Sequence, residues 1–259
     1  MKLHVEARGD GPLLLLLHGF AGSARNFRPQ QRALAGRWRV VAYDARGHAR
    51  SEAPEDPAAY AEDALVADAL RVLDESGARR AVVGGLSMGA AVALALARRH
   101  PERVRALVLA SFPPGAGAGT SRHAREFADA IEARGLEAAG ERFAWGPASG
   151  LDARGAALVR QGFLEHPPHG LAHTLRGFLA HLPGVADLAP GLAHVAVPAL
   201  VVAGAADPPS LAACRALAAA LPDARLEVIP EAGHVVNLAR PDAFNAALAD
   251  FLDHLPDAA

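Results

Sequence analysis

The pentapeptide Gly85-Leu86-Ser87-Met88-Gly89 closes the apolar run Ala81-Val82-Val83-Gly84 and opens the Ala/Leu-rich stretch Ala90–Ala97. A strand that passes straight into a helix through G-x-S-x-G makes a tight, strained turn, which lifts the serine Oγ clear of the sheet. Glycines flank that serine because a Cβ there would collide with neighbouring backbone. The pattern alone also occurs in plain structural turns, so its weight rests on context. Here an apolar strand precedes it, and a helix follows that ends in Arg98-Arg99-His100-Pro101. The motif predicts a nucleophilic serine at the carboxyl edge of a sheet.

The apolar runs Leu13–Leu17, Trp38–Tyr43, Ala81–Gly84, Val104–Ala110, Ala199–Ala203 and Arg225–Ile229 read as strands. Helical stretches alternate with them: one through Ala33-Leu34, then Tyr60–Ser76, the stretch after Ser87, Ser210–Leu221 and Pro241–Leu255. Continuous apolar strands alternating with helices imply a parallel sheet covered on both faces. The rhythm breaks between Phe112 and Val197, where some eighty residues read as short helices, including Ser121–Arg134, Ala153–Phe163 and Leu171–Leu182. Gly115-Ala116-Gly117-Ala118-Gly119 reads as a hinge into this segment, since its spacing does not fit a dinucleotide-binding loop. Residues 1–112 and 193–259 are thus expected to form an α/β core, and residues 113–192 a helical cap. Ligands bind at the carboxyl ends of strands in such sheets, so a lid is the economical reading and a plain structural insertion the alternative.

A serine hydroxyl needs a base within hydrogen-bond reach, and the base needs an acceptor that fixes its tautomer. Position chooses among twelve histidines. His234 follows the last strand directly, at the edge where the serine turn opens, and is the expected general base. His18, before Gly19, is expected to organise its turn; His48 sits in Arg46-Gly47-His48, and the cap histidines His123, His166, His169, His173 and His181 read as mostly solvated or pocket-lining. Asp207 lies just past the end of the strand Ala199–Ala203 and suits the orienting carboxylate, although it could instead cap the next helix. Asp223, in a turn after Leu221-Pro222, is the weaker candidate. The expected oxyanion donors are the backbone N–H groups of Met88 and Phe20, with both side chains shaping the acyl pocket. Phe127, Phe143, Trp145, Phe163 and Phe178 would either line that pocket or form the cap's own core.

With 26 basic and 28 acidic residues, no global field recruits nucleic acid or an anionic membrane. The single Cys214 excludes an intramolecular disulfide and suits a reducing compartment. Leu13–Leu17 is far too short to span a bilayer and lacks a signal-peptide layout. A cytoplasmic protein without a metal, cofactor, nucleic-acid or membrane partner is expected, monomeric or homodimeric.

Taken together, His18-Gly19-Phe20-Ala21-Gly22-Ser23, Tyr43–Ser51, Gly85–Gly89, His100–Val104, Asp207 and Gly233-His234 resemble the α/β-hydrolase fold superfamily over nearly the whole chain. The Gly-Leu-Ser-Met-Gly and Gly-His-Val-Val-Asn segments are most similar to the esterase and 3-oxoadipate enol-lactonase-like group. The resemblance implies an eight-stranded, mostly parallel sheet with a helical cap inserted after the sixth strand, and a cofactor-free Ser-His-Asp mechanism. The order Ser87, Asp207, His234 matches that fold's triad order. Serine at position 87 argues against the dehalogenase and epoxide hydrolase relatives, which carry Asp there. Leu86 and Val235 depart from carbon–carbon hydrolases, and Ala90-Ala91 from menaquinone-pathway lyases. A serine hydrolase of small esters or lactones is expected. A carbon–carbon hydrolase or lyase would instead need cap charges such as Arg122, Arg125 or Arg176 aimed at the pocket, and a binding protein with an idle triad is the non-enzymatic alternative.

Overall fold

In the computed structural model, which describes residues 1–115, 117–146 and 153–256, the apolar runs pair side by side in one sheet. Its strands are β1 (Val5–Arg8), β2 (Leu13–Leu17), β3 (Arg39–Tyr43), β4 (Ala81–Leu86), β5 (Val104–Ala110), β6 (Ala199–Gly204) and β7 (Ala224–Ile229). They lie in the order β1-β3-β2-β4-β5-β6-β7, every pair parallel except β1 with β3. Alternation within a strand divides the core in two. Leu13, Leu15 and Leu17 pack on one face with α2 (Glu62–Glu75), α3 (Met88–Arg99) and α8 (Pro208–Ala220). Leu14 and Leu16 pack on the other, against α1 (Arg28–Leu34) and α10 (Pro241–Asp253). All five leucines are buried, which only a strand covered on both faces demands.

The sheet described has seven strands, not eight, and the helical insertion follows the fifth rather than the sixth. The figure of eight came from the family pattern, whereas the apolar runs themselves marked six. The seventh strand, β1, reads Val-Glu-Ala-Arg, is largely exposed and lies at the sheet's edge, so no hydrophobic pattern announces it.

Between β5 and β6 run α4 (Ala118–Gly140), α5 (Ala153–Phe163), α6 (Pro168–Gly177) and α7 (Val185–Leu192). The first is longer than the expected Ser121–Arg134 and is broken at Gly135, where φ is 76°. The third starts before Leu171 because Pro168 sits at the first helical position, where its missing N–H costs nothing. Phe127, Ile131, Trp145, Phe163, Leu171 and Leu175 form a hydrophobic cluster separate from the two sheet faces. The insertion's two ends meet. A Cβ on Gly115 would lie 2.4 Å from Gly184 Cα, so the hinge needs glycine there; Ala116 lies outside the described residues. Helix α6 rests on the core, with Gly170 so close to Gly47 that a Cβ would meet the Gly47 carbonyl at 2.5 Å. No helix among the described residues is long and apolar enough to cross a membrane.

Candidate active site

The turn from β4 into α3 has the strain its sequence predicts. Ser87 has φ 52° and ψ −112°, and its N–H donates to the Ala110 carbonyl on β5 at 2.8 Å. A Cβ on Gly85 would come 2.3 Å from the Gly89 carbonyl carbon, and one on Gly89 only 2.0 Å from the Leu17 oxygen. Both glycines are therefore steric necessities, and the second brings the end of β2 against the turn. Met88 opens α3, so its N–H has no acceptor within the helix and lies at the positive end of the helix dipole. Its side chain is buried in the core, where it lines a small void together with His18 and Tyr43.

The loop after β2 runs beside the same turn. A Cβ on Gly19 would be 3.6 Å from Ser87 Cβ, which places Phe20 one residue from that contact. The Phe20 ring meets His48 edge-on at 5.8 Å and Phe127 of α4 at 5.9 Å, so core and insertion both hold the loop. His18 is buried and organises this turn as expected. Its Nε2 accepts from the Ala45 N–H at 2.9 Å and its Nδ1–H donates to the Gly19 carbonyl at 2.7 Å. Burial pushes its pKa down to about 4.

Past the end of β6, Asp207 occupies the N-cap position of α8, and its Oδ2 accepts from His234 Nδ1–H at 2.7 Å. That hydrogen bond leaves His234 Nε2 free to act as a base. The approach of the two loops depends on Gly204, whose Cβ would lie 2.3 Å from the Ala232 carbonyl oxygen. Burial alone would raise the Asp207 pKa, but hydrogen bonds from His234 and Ser210 outweigh it and hold the carboxyl below its usual range. Asp223 is at the opposite edge, its carbonyl accepting from the Ala199 N–H where β6 begins. The structure thus brings Asp207 and His234 together. Ser87 stands at the same carboxyl edge, but its Oγ makes no hydrogen bond to His234.

Other expectations divide. Phe127, Trp145 and Phe163 are cap core, Phe127 stacking on Phe163 at 5.7 Å, while Phe178 joins the sheet's core and Phe143 is only partly buried. Arg176 pairs with Asp129 and Glu132, so its charge is already matched. Arg122 and Arg125 are exposed and form no ion pair among the described residues. His48 is buried, and so is His166 of the insertion, whose Nε2 faces the Gly22 carbonyl at 2.9 Å and joins the insertion to the loop after β2. The buried Cys214 thiol, its pKa pushed up to about 11 by burial, is unreactive.

Two polar residues escaped the sequence reading. Ser210 is buried with its Oγ 3.2 Å from His234 Nδ1; its only signal is a serine three residues after Asp207. Asn237 is also buried, with Nδ2 donating to the Asn26 carbonyl at 2.9 Å and Gln30 Oε1 at 3.2 Å. It ties the helix α9 (Val236–Ala239) after His234 to the segment after Ser23.

Residues 12–241 match the family model described as alpha/beta hydrolase fold. A protein from Variovorax paradoxus (strain S110), provisionally named carbamate hydrolase RutD, is 33% identical, the alignment covering 97% of this chain and 96% of the relative. The 2-(acetamidomethylene)succinate hydrolase of Mesorhizobium japonicum is 29% identical across 98% of this chain and 92% of its own. Among solved structures, the enol-lactonase from Burkholderia xenovorans LB400 superposes with a TM-score of 0.86 at 30% identity, covering 97% of this chain and 96% of that one.

Proposed function

The chain belongs to the α/β-hydrolase fold family, and on that premise we propose that it is a serine hydrolase of small carboxylic esters or lactones. The observation that carries this reading is the 2.7 Å pair of Asp207 and His234 at the sheet edge where Ser87 turns out. In this mechanism His234 Nε2 takes the Ser87 Oγ proton as Oγ attacks the substrate carbonyl carbon. The tetrahedral oxyanion is held by the N–H groups of Met88 and Phe20. His234 then returns the proton to the leaving alkoxide, and the acyl group stays on Ser87. Water, deprotonated by His234, cleaves that acyl-enzyme and releases the acid.

The substrate is a small molecule and the protein supplies all the reacting groups. Residues 113–192 act as a lid that sets acyl specificity. The likeness to an enol-lactonase at 30% identity supports the ester and lactone class. Carbamates, named for another relative, present the same kind of carbonyl with a heteroatom leaving group. The alternative, carbon–carbon cleavage, would call on a cap charge aimed at the pocket; Arg176 is already paired with Asp129 and Glu132, whereas Arg122 and Arg125 are exposed without an ion pair among the described residues.

Incubation with p-nitrophenyl acetate, p-nitrophenyl butyrate and an aliphatic lactone tests the reading. Turnover is expected, with covalent fluorophosphonate labelling at Ser87 and loss of both in Ser87→Ala. Absence of turnover together with an unlabelled Ser87 would sink it.

A further inference from the structure

His234 is nearly half exposed, with 47% of its side chain open to solvent, so its orientation comes from its polar contacts rather than from packing. Two groups reach its Nδ1. One is Asp207 Oδ2 at 2.7 Å, the other Ser210 Oγ at 3.2 Å. Ser210 is itself almost completely buried, at 2% exposure, and a buried hydroxyl is retained only where it has partners. Its place in the chain explains the convergence. Asp207-Pro208-Pro209-Ser210 puts Ser210 at the third residue of α8, one turn above the N-cap, so its hydroxyl faces back toward the Asp207 carboxylate. Pro208 and Pro209 fix φ at the two residues between, leaving that turn little freedom to swing.

From this geometry we infer that Ser210 is a positioning residue: its hydroxyl locks the Asp207 carboxylate and shares the Nδ1 proton of His234, fixing the tautomer that leaves Nε2 free. Asp207 carries the charge, and Ser210 restricts where that charge sits. The carboxylate accepts from His234, and Ser210 one turn further on helps hold it below the usual carboxylate range. Without the hydroxyl, the Asp207 side chain can rotate toward solvent, and His234 can populate the tautomer with its proton on Nε2. A histidine in that state cannot accept the nucleophile's proton.

The inference rests on the serine-hydrolase reading, and its test separates the two. The 15N shifts of the His234 ring, assigned by comparison with His234→Ala, report the tautomer without any substrate. In the neutral ring, wild type is expected to show the proton on Nδ1 and none on Nε2. Ser210→Ala, and Ser210→Cys, which keeps the volume but bonds weakly, are expected to shift the ring toward mixed tautomers. Fluorophosphonate labelling of Ser87 should slow on the order of tenfold in both, the effect of losing one hydrogen bond to a charged group. Circular dichroism identifies either variant that fails to fold, in which case the other carries the comparison. Wild-type 15N shifts in a folded variant would overturn the role of Ser210, as would an unchanged labelling rate. If wild type itself is never labelled, the hydrolase reading fails while the 15N comparison still decides on Ser210.

Discussion

At Ser87 the backbone is held at φ 52° with a Cβ present, a region glycine enters freely and serine does not. Such conformations cost about 1–3 kcal/mol and persist where the surroundings over-determine them. The N–H bond to Ala110 and the contact of Gly89 with β2 supply that constraint. Ser87→Gly is therefore expected to relieve strain and raise the thermal midpoint while abolishing ester turnover, measured by differential scanning calorimetry beside a p-nitrophenyl butyrate assay. A lower midpoint would mean that the turn stores no strain. Asp207 bears on rate rather than on stability. Asp207→Asn keeps the shape but presents an amide to Nδ1, so kcat should fall by roughly 10²–10⁴ with KM little changed. Steady-state kinetics check this, and a change confined to KM would contradict the orienting role.

Elements meet at the site through glycines as much as through side chains. Gly204 ends β6 under the loop that carries His234, and a methyl there would press on the Ala232 and Gly233 carbonyl oxygens at 2.3 and 2.4 Å. Gly204→Ala should push that loop off, costing about 1–3 kcal/mol in urea unfolding and lengthening the Asp207–His234 contact. A fall in kcat larger than the stability loss explains is the expected signature; wild-type turnover would show that the loop tolerates displacement. The residues legible in sequence were those whose local pattern states their role. Leu13–Leu17 gave a doubly buried strand, Gly85–Gly89 the turn, and Asp207 and His234 strand-end positions. The edge strand β1 was hidden because exposed Val-Glu-Ala-Arg has no apolar period. Ser210 and Asn237 were hidden because their partners are 24 and 207 residues away in sequence. Only the spacing of Ser210 three residues after Asp207 hints at its place, and nothing near Asn237 names its partners.

Across the whole molecule, the insertion and the sheet meet over a cluster of buried imidazoles. His18 and His48 have ring centroids 5.1 Å apart, and His48 and His166 5.4 Å. Burial drives the His18 pKa down to about 4 and holds His48 well below its ordinary value, with the neighbouring imidazoles adding to the effect at His48. Both are neutral in the folded protein at pH 7. In the unfolded chain each regains the ordinary pKa of 6.5. Between pH 6.5 and about 4 the unfolded state therefore binds more protons, and stability must rise with pH across that window. Their contribution is fully present above pH 6.5 and is lost as the medium acidifies toward pH 4. For His18 alone the loss at pH 5 is about 2 kcal/mol, at 1.36 kcal/mol for each pH unit below 6.5. Urea unfolding at pH 7.5, 6 and 5 should show a falling midpoint and a net uptake of more than one proton on unfolding near pH 5. His48→Gln should flatten that slope by removing one titrating ring. A midpoint constant from pH 7.5 to 5 would mean that these rings remain solvated enough to charge in place. The Phe20 ring packs edge-on against His48, so charging the buried His18–His48 pair disturbs the loop after β2 that runs beside Ser87. Activity is therefore expected to fall on acidification before the far-ultraviolet circular dichroism changes.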